Sequence, residues 1–516
     1  MSALSLRELA RTKACAVALI APAEGVVLRA SDLLLRTAGM WGALRRKIGH
    51  LGPATRVAVQ ASNRVDTLAL LLALNESATP FVPLHPRLTD SEIAVLLGDA
   101  QPQVCLREAD LCDLAAQAPS TQDLADFAAL PAPQASRTLA ILYTSGTSGV
   151  PKGAMLSASA FVASALASEQ NLGWRGDDRW LLCLPLCHVG GLSIVTRCLL
   201  AQRPVVLLPR ADVSSILATI EDQHVTLLSV VPTTLAGLLR DDNKGVLAGL
   251  RAVLSGGAAT PQPLYEQALA QRVPVLRTYG LTEACSQVTV GSYRRALQPQ
   301  AGSGQPLAGV DLRIVPESAV DQVHDPSQTG SISADLWAAL PSQPLGTPGR
   351  IVLRGPTLMQ GYLNHAPLAG RPFDTGDLGF LQPDGSDRGA LHVLSRRTDL
   401  IVTGGENVYP AEVEAALLAC ADVAAALVFG VDDPLWGAAV AAAVVPCRGV
   451  NSDGDEALLW QRVVNHLASR LAGFKRPRLG CLRTKLPELA NGKPDRRGAA
   501  RDLRAVLRPL PAPRID

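Results

Sequence analysis

Aromatic residues make up only 4% of this 516-residue chain, and no long run of lysine or arginine disturbs a near balance of 48 basic against 46 acidic residues. Without a basic stripe the chain has no electrostatic footprint for nucleic acid. Nor does any apolar run reach the length of a membrane span. The stretch 14–21, preceded by Arg7, Arg11 and Lys13, weakly imitates an export signal, but Pro22 and Glu24 spoil the small-residue cleavage pattern. The expectation is a cytoplasmic protein whose chain opens on a strand over 16–20 and a second over 26–28. The 10 cysteines fit no secreted disulfide framework in a chain of this length. Cys183, Cys187 and His188 lie close together, but no second ligand pair follows, so buried free thiols are expected there. No repeat of solenoid period occurs.

What is present is a globular composition, 48% hydrophobic and 18% charged. The length calls for at least two domains at about 100–200 residues each. Up to Gly291, short apolar runs alternate with Ala/Leu-rich helical stretches. Segments 56–60, 205–208 and 226–231 read as strands and 67–73 as the start of an apolar helix. Strands alternating with helices imply βαβ units around a largely parallel sheet, with ligand loops at the carboxyl ends of the strands. Residues 296–349 are rich in Pro, Gly, Ser and Gln and read as irregular β structure or a loop-like insertion. Strands resume at 350–353. The fold class is α/β: a large N-terminal domain over 1–398, with mainly parallel sheets flanked by helices, and a small mobile α+β domain over 399–516.

The strand candidate 140–143 (AILY) runs into Thr144-Ser145-Gly146-Thr147-Ser148-Gly149-Val150-Pro151-Lys152-Gly153. Its glycines let the backbone approach a ligand and turn successive amides toward an anion. The hydroxyls add donors, and Lys152 adds a point charge suited to phosphate. This is no Walker A loop, because Pro151 stands where that pattern requires its second glycine. Strand, hydroxyl run, Pro and Lys in this order favour a phosphate-binding loop over a plain Ser/Gly surface turn.

This decapeptide resembles the signature loop of the adenylate-forming superfamily, which includes acyl-CoA synthetases, peptide-synthetase adenylation domains and firefly luciferase. The likeness continues in order along the chain: Tyr279-Gly280-Leu281-Thr282-Glu283, Asp374-Thr375-Gly376-Asp377, Arg396-Arg397-Thr398-Asp399 with Gly404-Gly405-Glu406-Asn407, and Asn491-Gly492-Lys493. It implies an acid–thiol ligase that uses ATP, Mg²⁺ and CoA to activate a small carboxylic acid. By resemblance Glu283 holds Mg²⁺, Thr282 contacts the α-phosphate, and Asp377 accepts from both ribose hydroxyls. Arg396 adds a ribose or phosphate contact, Gly256-Gly257-Ala258 lies along adenine and acyl group, and Tyr279 stacks on adenine or belongs to the core. Lys493 is the catalytic lysine, and Thr398 or Asp399 is the hinge about which the small domain rotates between half-reactions.

The acid is encoded by fewer residues. His188 resembles the family's gate to the acyl pocket. Arg197, nine residues on, interrupts an apolar stretch and would pair with an Asp, snorkel, or receive a second carboxylate of the substrate. With Gly191-Leu192-Ser193, the 395–401 segment and the 404–410 segment, this combination looks most like the o-succinylbenzoate–CoA ligase family of menaquinone biosynthesis. Two departures stand out: the length of 296–349, and Arg350 where the family usually has Glu. Another acyl- or aryl-CoA synthetase, a carrier-loading adenylation enzyme, and a nucleotide-binding pseudoenzyme are the competing readings.

Overall fold

A computed structural model describes the chain except residues 1–3, 146–150, 211, 259, 261, 317, 320–333, 387, 396–400, 409, 448–452, 488–494 and 514–516. It divides into two compact units. The larger comprises Met1–Pro86, Asp99–Tyr143 and Gly153–Ser395; the smaller comprises Arg87–Gly98, Thr144–Lys152 and Arg396–Asp516.

Two α/β sheets dominate the larger unit. The nine-stranded sheet has a parallel centre, in which Val275–Leu281, Ala252–Ser255, Leu227–Val230, Trp180–Leu182, Val205–Leu207 and Val17–Ala21 lie side by side. Antiparallel strands flank this centre, Ser286–Val290 and then Gln305–Pro306 on one side and Val26–Arg29 on the other. The second sheet centres on Thr138–Ser145, Phe81–Leu84 and Val57–Gln60. These strands are short continuous apolar runs because both faces are covered, as parallel sheets require. The helix Val65–Glu76 is correspondingly buried on every side. The expected strands at 16–20, 26–28, 56–60, 205–208 and 226–231 are therefore present to within a residue or two.

A third, antiparallel sheet joins Asp311–Val315, Gly349–Arg354, Phe373–Gln382 and Ala390–Ser395. For the stretch 296–349 this supports irregular β structure over a loop-like insertion. Gln305–Pro306 and Asp311–Val315 pair into sheets, and Ala334–Ala339 is helical. Such short strands hold few residues in which alternation could show.

The smaller unit has its own sheet, in which Gly437–Pro446 pairs with Val423–Asp433 and Leu479–Leu482. Its core gathers Trp460, Val463 and Leu467 from the helix Asp453–Ala468 against Val440, Ala442 and Val444. Among the described residues no helix is long and apolar enough to cross a membrane.

Candidate active site

The strand Val275–Leu281 carries Tyr279, Gly280 and Leu281 into a single 3₁₀ turn, Thr282–Ala284. Cys285 (φ 53°) and Ser286 (φ 93°) then fold the chain back along the strand it came from. The return is so close that a Cβ on Gly280 would stand 2.0 Å from the Ser286 carbonyl oxygen, so only glycine fits. This turn holds Glu283 at 4% exposure. The Tyr362 hydroxyl donates to its Oε1 at 2.8 Å, and its backbone carbonyl accepts from the Met359 amide at 2.8 Å. A carboxylate buried so deeply needs donors or a cation. As a hard oxygen donor it fits Mg²⁺.

Asp377 lies within the strand Phe373–Gln382, where Gly376 adopts φ 76°. The Thr375 hydroxyl donates to the Ile351 carbonyl at 2.9 Å and accepts from the Asp377 amide at 3.1 Å. Asp374 accepts from the Gly376 amide at 3.0 Å and pairs with Arg350 at 2.9 Å. Arg350, the departure from family pattern, thus serves as counter-ion to the carboxylate that shapes this turn. Tyr279 is only 3% exposed, and its hydroxyl donates to Asp377 Oδ2 at 2.6 Å. The burial of Tyr279 fits the core alternative of the two sequence readings, and its hydroxyl orients Asp377.

Gly256 and Gly257 end the strand Ala252–Ser255. A Cβ on Gly256 would approach Thr278 Oγ1 to 2.3 Å, and Gly257 takes φ 80°. Ala258 follows directly, leaving a ribbon of small residues at a carboxyl strand end. Thr282 lies within the 3₁₀ turn beside Glu283. In the smaller unit, Thr144 stands near the end of Thr138–Ser145, and Lys152 stands near the start of Pro151–Ser157. Gly146, Thr147, Ser148, Gly149, Arg396, Thr398, Asp399 and Lys493 lie outside the described residues.

His188 is exposed and precedes the helix Val189–Ala201 as its N-cap residue. The turn before it is rigid. Buried Asn63 donates to the Leu184 carbonyl at 3.1 Å and accepts from the Leu186 amide at 3.1 Å, and a Cβ on Gly191 would lie 2.3 Å from the Pro185 oxygen. Arg197 projects from the same helix at 3% exposure. Its guanidinium carbon lies 5.4 Å from the Trp180 ring centroid, its Nη2 reaches Ser286 Oγ at 3.5 Å, and its Nε has no partner. Among the described residues no carboxylate pairs with it. Burial pushes its pKa down to about 10, leaving it cationic at neutral pH. Burial pushes the flanking Cys198 and Cys285 thiols upward, so they stay neutral and offer no counter-charge. The expected free thiol at Cys183 is present: it is buried, its pKa is pushed up to about 12, and it donates to the Ser229 carbonyl at 3.6 Å.

Reading the sequence missed Tyr362, Asn63 and the Arg350–Asp374 pair. Only Arg350 left a signal, as a charge reversal at a patterned position.

Residues 6–363 match the AMP-binding enzyme family, and 412–493 match the AMP-binding enzyme C-terminal domain. A 2-succinylbenzoate–CoA ligase of Bacillus velezensis is 35% identical over 434 residues, 81% of this chain and 84% of that protein. A double mutant of Bacillus subtilis o-succinylbenzoate CoA synthetase, bound with its product analogue OSB-NCoA, matches with a TM-score of 0.80 at 29% identity, over 98% of this chain and 99% of that one. The same enzyme in complex with ATP and magnesium matches with a TM-score of 0.65 at 28% identity, over 95% and 98%.

Proposed function

The chain belongs to the AMP-binding enzyme family, and from that premise we propose that it joins 2-succinylbenzoate to CoA through an acyl-adenylate, in the route to menaquinone. The observation that carries the choice of acid is Arg197, a buried cation without a counter-ion among the described residues. An apolar monocarboxylate would leave it uncompensated, whereas the second carboxylate of a dicarboxylic acid neutralises it in a bidentate pair.

In the first half-reaction a carboxylate oxygen attacks the α-phosphate of ATP and pyrophosphate leaves. In the second the CoA thiol attacks the acyl carbonyl and AMP leaves. Mg²⁺, when bound, would supply positive charge to the phosphates. Glu283 would hold it, with Tyr362 fixing the carboxylate. Thr282 would donate to the α-phosphate, and the loop 144–153 with Lys152 would contribute further phosphate contacts. Asp377, oriented by Tyr279, would accept from the ribose hydroxyls, with Arg396 adding a contact. Gly256, Gly257 and Ala258 let the adenylate lie against backbone. His188 would border the acyl group, and Lys493 would bridge the attacking carboxylate and the α-phosphate. The work divides between domains at 1–398 and 399–516, about a hinge at Thr398 or Asp399. The enzyme would act in the cytoplasm, where ATP and CoA are at hand.

The test is pyrophosphate release with ATP and Mg²⁺ across 2-succinylbenzoate, benzoate, a fatty acid and an amino acid, with and without CoA. 2-Succinylbenzoate should give the highest kcat/KM and CoA-dependent AMP release. Arg197→Ala should lower kcat/KM for it by about 100-fold, as for loss of a buried charge-assisted contact of about 3 kcal/mol, and change benzoate turnover little. Equal loss on both acids, or a preferred monocarboxylate, sinks the assignment.

A further inference from the structure

We propose that His85, Cys187 and His188 form a binding site for a borderline-soft divalent cation, Zn²⁺ above all, separate from the Mg²⁺-binding carboxylate Glu283. The three donor atoms, two imidazole nitrogens and one thiol sulfur, all lie within 4.8 Å of one another. Tetrahedral zinc with bonds of about 2.0–2.3 Å needs ligand atoms about 3.4–3.6 Å apart, so side-chain rotations of about an ångström close the site. Donor chemistry selects the ion: thiolate and imidazole suit zinc and its neighbours, whereas Mg²⁺ takes oxygen.

The donors converge because two sheets end together. His85 follows Phe81–Leu84 in one sheet, and Cys187 with His188 lies between Trp180–Leu182 of the other and the helix Val189–Ala201. The backbone around them is fixed. Asn63 clamps Leu184 and Leu186, the His188 amide donates to the Pro185 carbonyl at 3.1 Å, and Gly191 admits no side chain. His85 and Cys187 are buried while His188 is exposed, so an ion can enter from the His188 side. The two imidazole rings already lie close, with centroids 5.7 Å apart and planes tilted by 49°. Three protein ligands leave a fourth position for water or another small donor. Binding releases the Cys187 thiol proton to solvent as the sulfur–metal bond forms. Sequence spacing concealed the site, since His85 lies far along the chain from the Cys187-His188 pair.

Co²⁺, which reports its ligands spectroscopically, tests this on the reduced full-length chain. One Co²⁺ per chain should bind with a thiolate-to-metal charge-transfer band in the near ultraviolet and the visible bands of a four-coordinate ion, and Zn²⁺ should displace it. Cys187→Ser should abolish the charge-transfer band. His85→Gln should weaken Co²⁺ binding at least about 100-fold, beyond the usual cost of losing only a supporting partner. His188→Asn, at an exposed position, should weaken it similarly and keeps the test open if the buried variants misfold; circular dichroism identifies any that do. No charge-transfer band in the parent protein overturns the proposal. So does a band that survives in folded Cys187→Ser, because another cysteine would then supply the sulfur.

Discussion

Tyr279 and Tyr362 each commit a hydroxyl to a buried carboxylate, Asp377 at 2.6 Å and Glu283 at 2.8 Å. Hydrogen bonds to charged groups contribute about 1.5–3 kcal/mol. Tyr279→Phe removes one while keeping the ring in the core. If Asp377 grips the ribose, the variant should lose about tenfold or more in kcat/KM for ATP, with kcat for bound substrate falling less. Steady-state titration of ATP reads this directly, and an unchanged kcat/KM would mean that Asp377 needs no orienting. Glu283 and Asp377 stand out in the sequence because they sit in contiguous motifs. Tyr362 was not, standing 79 residues from the carboxylate it serves. Asn63 was equally hidden, since its partner Leu186 is 123 residues away. Contacts of that kind arise only when strand ends meet. Arg197 was half legible: its charge in an apolar run was visible, but whether an Asp answered it was decided by packing.

At the scale of elements, apolar strands were the readable part, and polar devices joining helices were not. The basic residues before the first strand belong to a helix, Leu6–Lys13, capped by Ser5. Buried Glu76 accepts from the Leu6 amide at 2.6 Å and pairs with Arg7 at 2.8 Å. Glu76→Ala orphans the Arg7 charge and frees the helix, and it should destabilise the larger unit by about 3 kcal/mol in urea titration. Asp123 does similar work for the helix Thr121–Ala128, accepting from the Ser120 amide and hydroxyl and pairing with Arg46. A Cβ on Gly42 would stand 2.5 Å from its carboxyl carbon, so Gly42 makes room for this joint in the middle of a long helix. Burial alone would raise the Asp123 pKa, but the Ser120 and Arg46 contacts outweigh it and the net shift is downward. A depressed folded pKa gives stability that is present above the ordinary carboxylate value and is lost as pH falls through the folded one. Asp123→Asn should therefore be less stable than the parent by about 1–2 kcal/mol at neutral pH. That gap should close below about pH 4. A gap that stays constant down to pH 2 would assign the effect to packing.

At the scale of the whole molecule, each compact unit encloses its own core, and the smaller gathers Ile401, Val413, Val440 and Trp460 independently of the larger. Glu283, Asp377 and Arg197 all belong to the larger unit, whereas Lys493 falls in the chain segment assigned to the smaller. If Lys493 serves only adenylation, the two half-reactions should separate by mutation. Its ammonium would then stabilise charge as the substrate carboxylate meets the α-phosphate, whereas attack of the CoA thiol on acyl-AMP would need no such bridge. Lys493→Ala should reduce acyl-AMP formation by at least about 100-fold, the scale of losing one charged transition-state contact. It should leave thioester formation from supplied 2-succinylbenzoyl-AMP within about a factor of three, which corresponds to less than 1 kcal/mol. Pyrophosphate release reads the first half, and CoA consumption with added acyl-AMP reads the second. Parallel loss of both halves would place the lysine in a role common to the whole cycle.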